Sequence, residues 1–160
     1  MRYTWTPLDV GFDVRHRGTA IVIPKDCTEA IYDYSGEERT VCGDRATIAA
    51  AMKDAGYNIS PNFKVGDGAS YNIGSDSYPV TIRKISKSGK TLWVSRDDFR
   101  CKPGVNRYEQ TDKEGVFIPL DVPESEWERY TLRQDGHWRP SKSGCGYLSE
   151  GRTLSLDPSF

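Results

Sequence analysis

The chain has 160 residues, 22 basic and 23 acidic side chains, a formal charge of -1 and 36% hydrophobic residues. That length holds one ordinary domain or two small ones. The balanced charge excludes a global attraction to nucleic acid or anionic lipid and leaves such work to local patches. No window approaches the 18 apolar residues of a membrane-spanning helix, and "MRYTWTPLDVGF" lacks the apolar run of a secretory leader. The expectation is a cytoplasmic protein with no membrane partner. Its four Trp and nine Tyr must supply much of the buried area.

In chain order, residues 1–18 carry Pro7, Gly11 and Gly18 and read as an irregular arm with at most one edge strand. "TAIVIP" is a β-branched run ending at the breaker Pro24. "EAIYDY" alternates, "SG" at Ser35-Gly36 turns, and "ERTVC" returns, which predicts a hairpin with Ile31 and Val41 on its buried face. A helix follows, with Asp44 at the N-cap and Gly56 just past its end. Ile48, Ala51, Met52 and Ala55 share one face of it. "YNI" adds a candidate strand, and "SPNF", Ser60 to Phe63, reads as a boundary.

Helical signals stop after that point. "ASYNIG", "YPVTIRKIS", "TLWVSRDD" and "GVFIPL" read as short strands, "ESEWERYTLRQ" and "HWRPS" as a hairpin with Asp135-Gly136 at its tip, and "GYLSEGRTLSL" as a closing pair. In "YPVTIRKIS" both parities are partly apolar, as where a strand curls in a small barrel. The predicted fold is α+β, mainly β: a β-β-α module over residues 1–61, then a small SH3-like or OB-like antiparallel barrel over 62–160. Short exposed barrel edges would allow a homodimer.

The glycine-rich stretch from Lys64 to Lys90 invites comparison with phosphate loops. A P-loop needs GxxxxGK before a helix. Five residues after Gly68 comes Ile73, then Gly74 and Ser75, with no lysine following. GxGxxG fails too, because Tyr71 stands where the third glycine should follow Gly66 and Gly68. "VGDG" instead reads as a tight turn, with Asp67 bonding nearby amides and Gly68 taking positive φ.

"VGDGASYNIGSDSYPVTIRKISKSGKTLWVSRDDF", with the downstream "GHWRP…GRTLSLDPSF", resembles a family of small proteins encoded by bacteriophages and prophages. The likeness covers about residues 63–160 and implies a phage origin, hence the cytoplasm of a bacterial host. Residues 1–62 fall outside it and read as a separate module.

Catalytic constellations are sparse. Asp97 and Asp98 are adjacent and point to opposite faces of a strand, so they form no dyad. Glu124, Glu126 and Glu128 alternate with Ser125 and Trp127 and would line one solvated face. His137 sits beside a turn and Cys145 between two glycines, which favours turn roles over a reactive thiol and its base. Cys27, Cys42, Cys101 and Cys145 include no CxxC and stand far from His16 and His137, so neither a metal site nor a disulfide framework is expected, although Cys27 and Cys42 could pair across a hairpin.

Basic and aromatic residues are interleaved on the second unit, the chemistry of barrels that bind nucleotides or single strands. Arg83, Trp93 and Arg96 fall on one hairpin, Trp138 and Arg139 on another, and Arg152 follows; with Asp76 and Tyr78 of the Ser-Asp-x-Tyr-Pro segment these are the candidate ligand- or partner-binding residues. The expectation is a phage accessory protein without catalysis or cofactor that inhibits a host bacterial protein, most simply an antiviral defence component such as CRISPR–Cas. The alternative is a binding protein that sequesters a nucleotide signal or single-stranded nucleic acid. A small enzyme built on Cys145 and His137 is the third reading.

Overall fold

Asp33 shares a strand parity with Ile31, and Tyr32 shares the other with Ala30, so only the second parity can face a core without burying a charge. The computed structural model, which describes residues 1–5, 19–100, 103–104 and 116–156, shows that outcome. Pro7, Gly11, Gly18, His16, Cys101 and the closing "DPSF" lie outside the described residues. Strand β1 (Arg2–Trp5) runs parallel to β2 (Glu29–Tyr34), and β2 pairs antiparallel with β3 (Glu37–Cys42). Ala30 and Tyr32 are buried, and Val41, opposite Ala30, packs with them. Ile31 is opposite Thr40 on the other face, which corrects the expectation that it joins Val41 in the core. Ser35 and Gly36 turn the hairpin with φ of 55° and 84°, the primed geometry that suits a two-residue loop.

Helix α1 (Arg45–Asp54) begins where the Asp44 Oδ1 accepts the Thr47 N–H at 2.8 Å and stops before Gly56 at φ 93°. Ile48 and Met52, one turn apart, are fully buried, with Ala51 and Ala55 packed beside them. "TAIVIP" and "YNI" do not make strands. They meet in a single parallel bridge between Ile21 and Ile59.

The chain divides into two units: Met1–Pro61 with Gln134–His137, and Asn62–Arg133 with Trp138–Phe160. The second is a near-closed barrel. Its strands are β4 (Gly68–Ile73), β5 (Asp76–Ile85), β6 (Thr91–Arg100), β7 (Val116–Pro119), β8 (Glu128–Leu132), β9 (Trp138–Pro140) and β10 (Tyr147–Glu150). They run in the order β10-β4-β5-β6-β8-β9, with β7 on the far half of β6. The mainly-β α+β architecture expected from the sequence is therefore present. "GYLSEGRTLSL" yields one strand rather than a pair, its second half reduced to an isolated Ser155–Ser77 bridge.

Val80 and Ile82 of β5, Leu92 and Val94 of β6, Tyr130 and Leu148 form the barrel core with Tyr71, Trp138 and Phe63. After Ile82 the register shifts so that Lys84 pairs with Trp93, a bulge that accounts for the mixed parities of this strand. No ladder joins β9 to β10; Arg139 Nη1 donates to the Gly146 carbonyl across that seam at 3.1 Å.

One buried ion pair ties the barrel to its last segment. Arg152 Nε meets Asp97 Oδ2 at 2.7 Å, Arg152 Nη2 donates to Thr81 Oγ1 at 2.9 Å, and Thr81 Oγ1 donates to Asp97 Oδ1 at 2.7 Å. The Asp97 side chain has no exposed surface. Gly68 serves this pair: a Cβ there would lie 2.5 Å from Arg152 Nη1. The positive φ in "VGDG" belongs to Gly66, at 93°, and not to Gly68 as expected from the sequence. Asp67 does close the turn, its Oδ2 accepting the Lys64 N–H at 2.8 Å.

Removing one partner of such a pair strands the other charge in the interior, at a cost of about 3–5 kcal/mol. Arg152→Ala should lower the urea midpoint accordingly, and Arg152→Lys should recover only part, since an ammonium cannot span both acceptors. A midpoint unchanged in Arg152→Ala would show that the pair does not hold the barrel.

Candidate ligand-binding cleft

Inward residues of β6 run Leu92, Val94, Arg96, and those of β8 run Tyr130, Glu128. The apolar members fill the core, and the charged ones arrive where the barrel ends. Val94 pairs with Glu128 and Val80 with Arg96, so the register itself brings the two charges together. Arg96 Nε donates to Glu128 Oε1 at 3.0 Å. The Arg96 guanidinium also lies 4.9 Å from the Tyr71 ring centroid and 5.4 Å from that of Tyr78, both cation–π distances.

Below this mouth the tyrosines pack on one another. Tyr71 meets Tyr130 edge-on at 6.0 Å and stacks with Tyr78 at 6.5 Å. The Tyr71 hydroxyl donates to the Cys145 carbonyl at 2.9 Å, and that of Tyr78 to Asp76 Oδ2 at 3.2 Å. Burial pushes the Tyr130 phenol well above its usual range, and the Glu128 carboxylate adds to the effect. Burial raises Tyr71 as well, with Arg96 opposing. Tyr78 is raised by desolvation and by its bond to Asp76.

A cleft of about 560 Å³ opens beside the mouth, a size typical of small-molecule sites. Its lining includes Tyr71, Arg96, Glu128, Trp127, Arg129 and the Ser141–Ser143 turn. Arg129 Nε donates to Ser141 Oγ at 3.2 Å, and Ser141 Oγ lies 2.7 Å from Thr131 Oγ1. Trp127 is fixed through its indole N–H on the Val122 carbonyl at 3.3 Å. With Arg96 neutralised by Glu128, the remaining charged lining is Arg129 and Lys142 against Glu126. Aromatic surface beside surplus positive charge is suited to a planar anion.

Of the sequence-derived candidates, the structure gathers Asp76, Tyr78 and Arg96 at the mouth. The others serve the fold or lie elsewhere. Trp138 is a core residue, 5% exposed, against Phe63. Arg83 donates to Ser95 Oγ and to the Leu120 carbonyl. Arg139 bridges the seam and Arg152 holds Asp97. Trp93 is half-buried under Lys84, whose Nζ lies 5.0 Å from its ring and 3.1 Å from Glu124. The expected glutamate face does not form, because Glu124 and Glu126 sit in a 3₁₀ turn before β8. Asp97 is buried and Asp98 exposed, as their opposite directions require.

Tyr71, Trp127, Glu128, Arg129 and Lys142 are not among the sequence candidates. The parity of "ASYNIG" could have placed Tyr71 inward with Ala69; nothing in "ESEWER" announces a cleft wall. His137 belongs to the first unit and Cys145 to the second, so they form no site within either. Among the described cysteines Cys27 is buried, Cys42 and Cys145 are exposed, and all three are free thiols. Among the described residues no group of three or more His, Cys, Asp or Glu converges as a metal site. No protein-family model, curated protein or solved structure matches the chain.

The raised tyrosines set an alkaline signature. An unfolded tyrosine ionises near pH ~10, whereas Tyr130 in the fold stays neutral beyond it. The stability from this burial is whole below that pH and is lost as pH rises through it. The urea midpoint should therefore fall from about pH 8 to about pH 11, and fall less in Tyr130→Phe. Equal losses in both proteins would contradict the burial of this phenol.

Proposed function

We propose that the chain is a non-enzymatic binding protein, of the bacteriophage accessory kind its sequence resembles, that captures a nucleotide unit in the barrel cleft. The observation that carries this reading is the cleft itself, which the half-buried Trp127 lines together with Arg129 and Lys142. Base stacking on aromatics with basic side chains nearby is the chemistry of nucleotide and single-strand recognition. The unit would be free or part of a single strand, and sequestering it would be the protein's work in a bacterial host cell.

The residues behind the phage resemblance support a shared barrel more than a shared ligand. Gly66 and Asp67 make a turn, Gly89 at φ 71° turns the β5–β6 hairpin, and Gly68 and Arg152 serve the buried ion pair. Inhibition of a host antiviral protein is the second reading and rests on that resemblance. It requires a stoichiometric bacterial partner that survives nuclease treatment in a pull-down. No described helix is long and apolar enough to cross a membrane.

Ribonucleotides, cyclic nucleotides and a short single-stranded oligonucleotide at millimolar concentration should give a thermal shift with at least one of them. Saturation at a hundred times Kd corresponds to about 2.7 kcal/mol of added stability. Arg129→Ala and Lys142→Ala should each weaken that binding about tenfold, roughly 1.4 kcal/mol, with the unliganded melting point nearly unchanged. Trp138→Ala should instead destabilise the fold by about 3–5 kcal/mol, as loss of a core aromatic does. Absence of any shift across the panel would remove the nucleotide reading.

A further inference from the structure

Resting on the nucleotide reading, the question is which part of the ligand meets which wall. Arg96 is not available as an anion clamp, since Glu128 neutralises it and two tyrosine rings cover it. Arg129 is differently placed. It is exposed, and among the described residues only its Nε is engaged, by Ser141 Oγ, which leaves both terminal amino groups of the fork uncommitted.

Lys142 is exposed and makes no hydrogen bond or ion pair with any described residue. It sits on the turn that Gly144 closes, with the Gly144 N–H donating to the Pro140 carbonyl at 2.9 Å. Ser141 and Ser143 flank it with hydroxyls, and all three residues line the cleft. A guanidinium fork, an ammonium and hydroxyls lining one cleft meet the requirements of a phosphate dianion. Trp127, half-buried, supplies aromatic surface in the same cleft, whereas the Tyr71 ring is already taken by Arg96 and Tyr78.

We infer that the cleft takes a nucleoside phosphomonoester, with the phosphate on Arg129, Lys142 and the Ser141–Ser143 turn and the base on Trp127. Its volume of about 560 Å³ suits one nucleotide. A free nucleoside monophosphate and the 5′-phosphorylated end of a single strand offer the same group.

The test is calorimetry on the full chain with nucleoside monophosphates, the matching nucleosides, inorganic phosphate, and oligonucleotides carrying either a 5′-phosphate or a 5′-hydroxyl. Removing the phosphate should cost at least tenfold in affinity. Arg129→Ala with Lys142→Ala should abolish the difference between nucleotide and nucleoside while leaving nucleoside affinity unchanged, and Arg129→Lys should restore part of it. Tighter binding of the 5′-phosphorylated strand than of the monophosphate would identify a strand end as the source, and the reverse a free nucleotide; both support the inference. If nucleosides bind as tightly as nucleotides, and Trp127→Ala weakens both, the phosphate assignment is wrong and the nucleotide reading stands. If no probe binds, both fall.

Discussion

Strand alternation continuing past the end of a core is the constraint on which the barrel's chemistry depends. Inward positions of β6 and β8 are apolar while there is a core to fill and charged one step later, at Arg96 and Glu128. Period-two geometry gives those side chains no other direction. Both charges stay partly exposed at the barrel end, and the antiparallel register sets them 3.0 Å apart as a solvent-screened pair. The tyrosines then complete the arrangement: Tyr71 and Tyr78 offer ring faces to the guanidinium, and Tyr130 plugs the barrel beneath. The mouth is therefore a structural end-cap whose outer surface forms one side of a cleft.

Charge in this molecule separates into groups bound within the fold and groups left at its surface. Asp97, Arg152 and Arg83 are committed to internal partners, and each joins segments distant in sequence. Arg129 and Lys142 are exposed beside the cleft. A nearly neutral chain can hold a locally positive site in this way, because what matters to a ligand is the uncancelled charge within a Debye length of about 8 Å.

Much of the fold could be read from the sequence, because caps and turns are local. Asp44, Gly56, Ser35-Gly36 and the Asp135-Gly136 tip each act over a few residues, and their elements follow. Ile31 taken alone points to the core, but Asp33 shares its parity and turns that face outward. "TAIVIP" looked like a strand from its β-branched content, but strands need partners, and only Ile21 finds a bridge. The cleft was less legible. Its walls come from β4, the turn before β8 and the turn after β9, so no window of sequence contains them. Trp138 and Arg152 looked like ligand residues because composition shows neither burial nor a distant partner such as Asp97.

The seam between β9 and β10 gives the barrel uneven resistance to opening. Around most of its circumference, neighbouring strands exchange backbone hydrogen bonds; at the seam a side chain, Arg139, reaches a carbonyl instead. The three-residue β9 and the four-residue β10 are thus each held by one ladder rather than two. Amides in those two edge ladders exchange through local fraying at the seam, whereas amides between β5 and β6 wait for the whole barrel to come apart. The seam passes beside the Ser141–Ser143 turn, so its rate of opening is also a rate at which one wall of the cleft loosens.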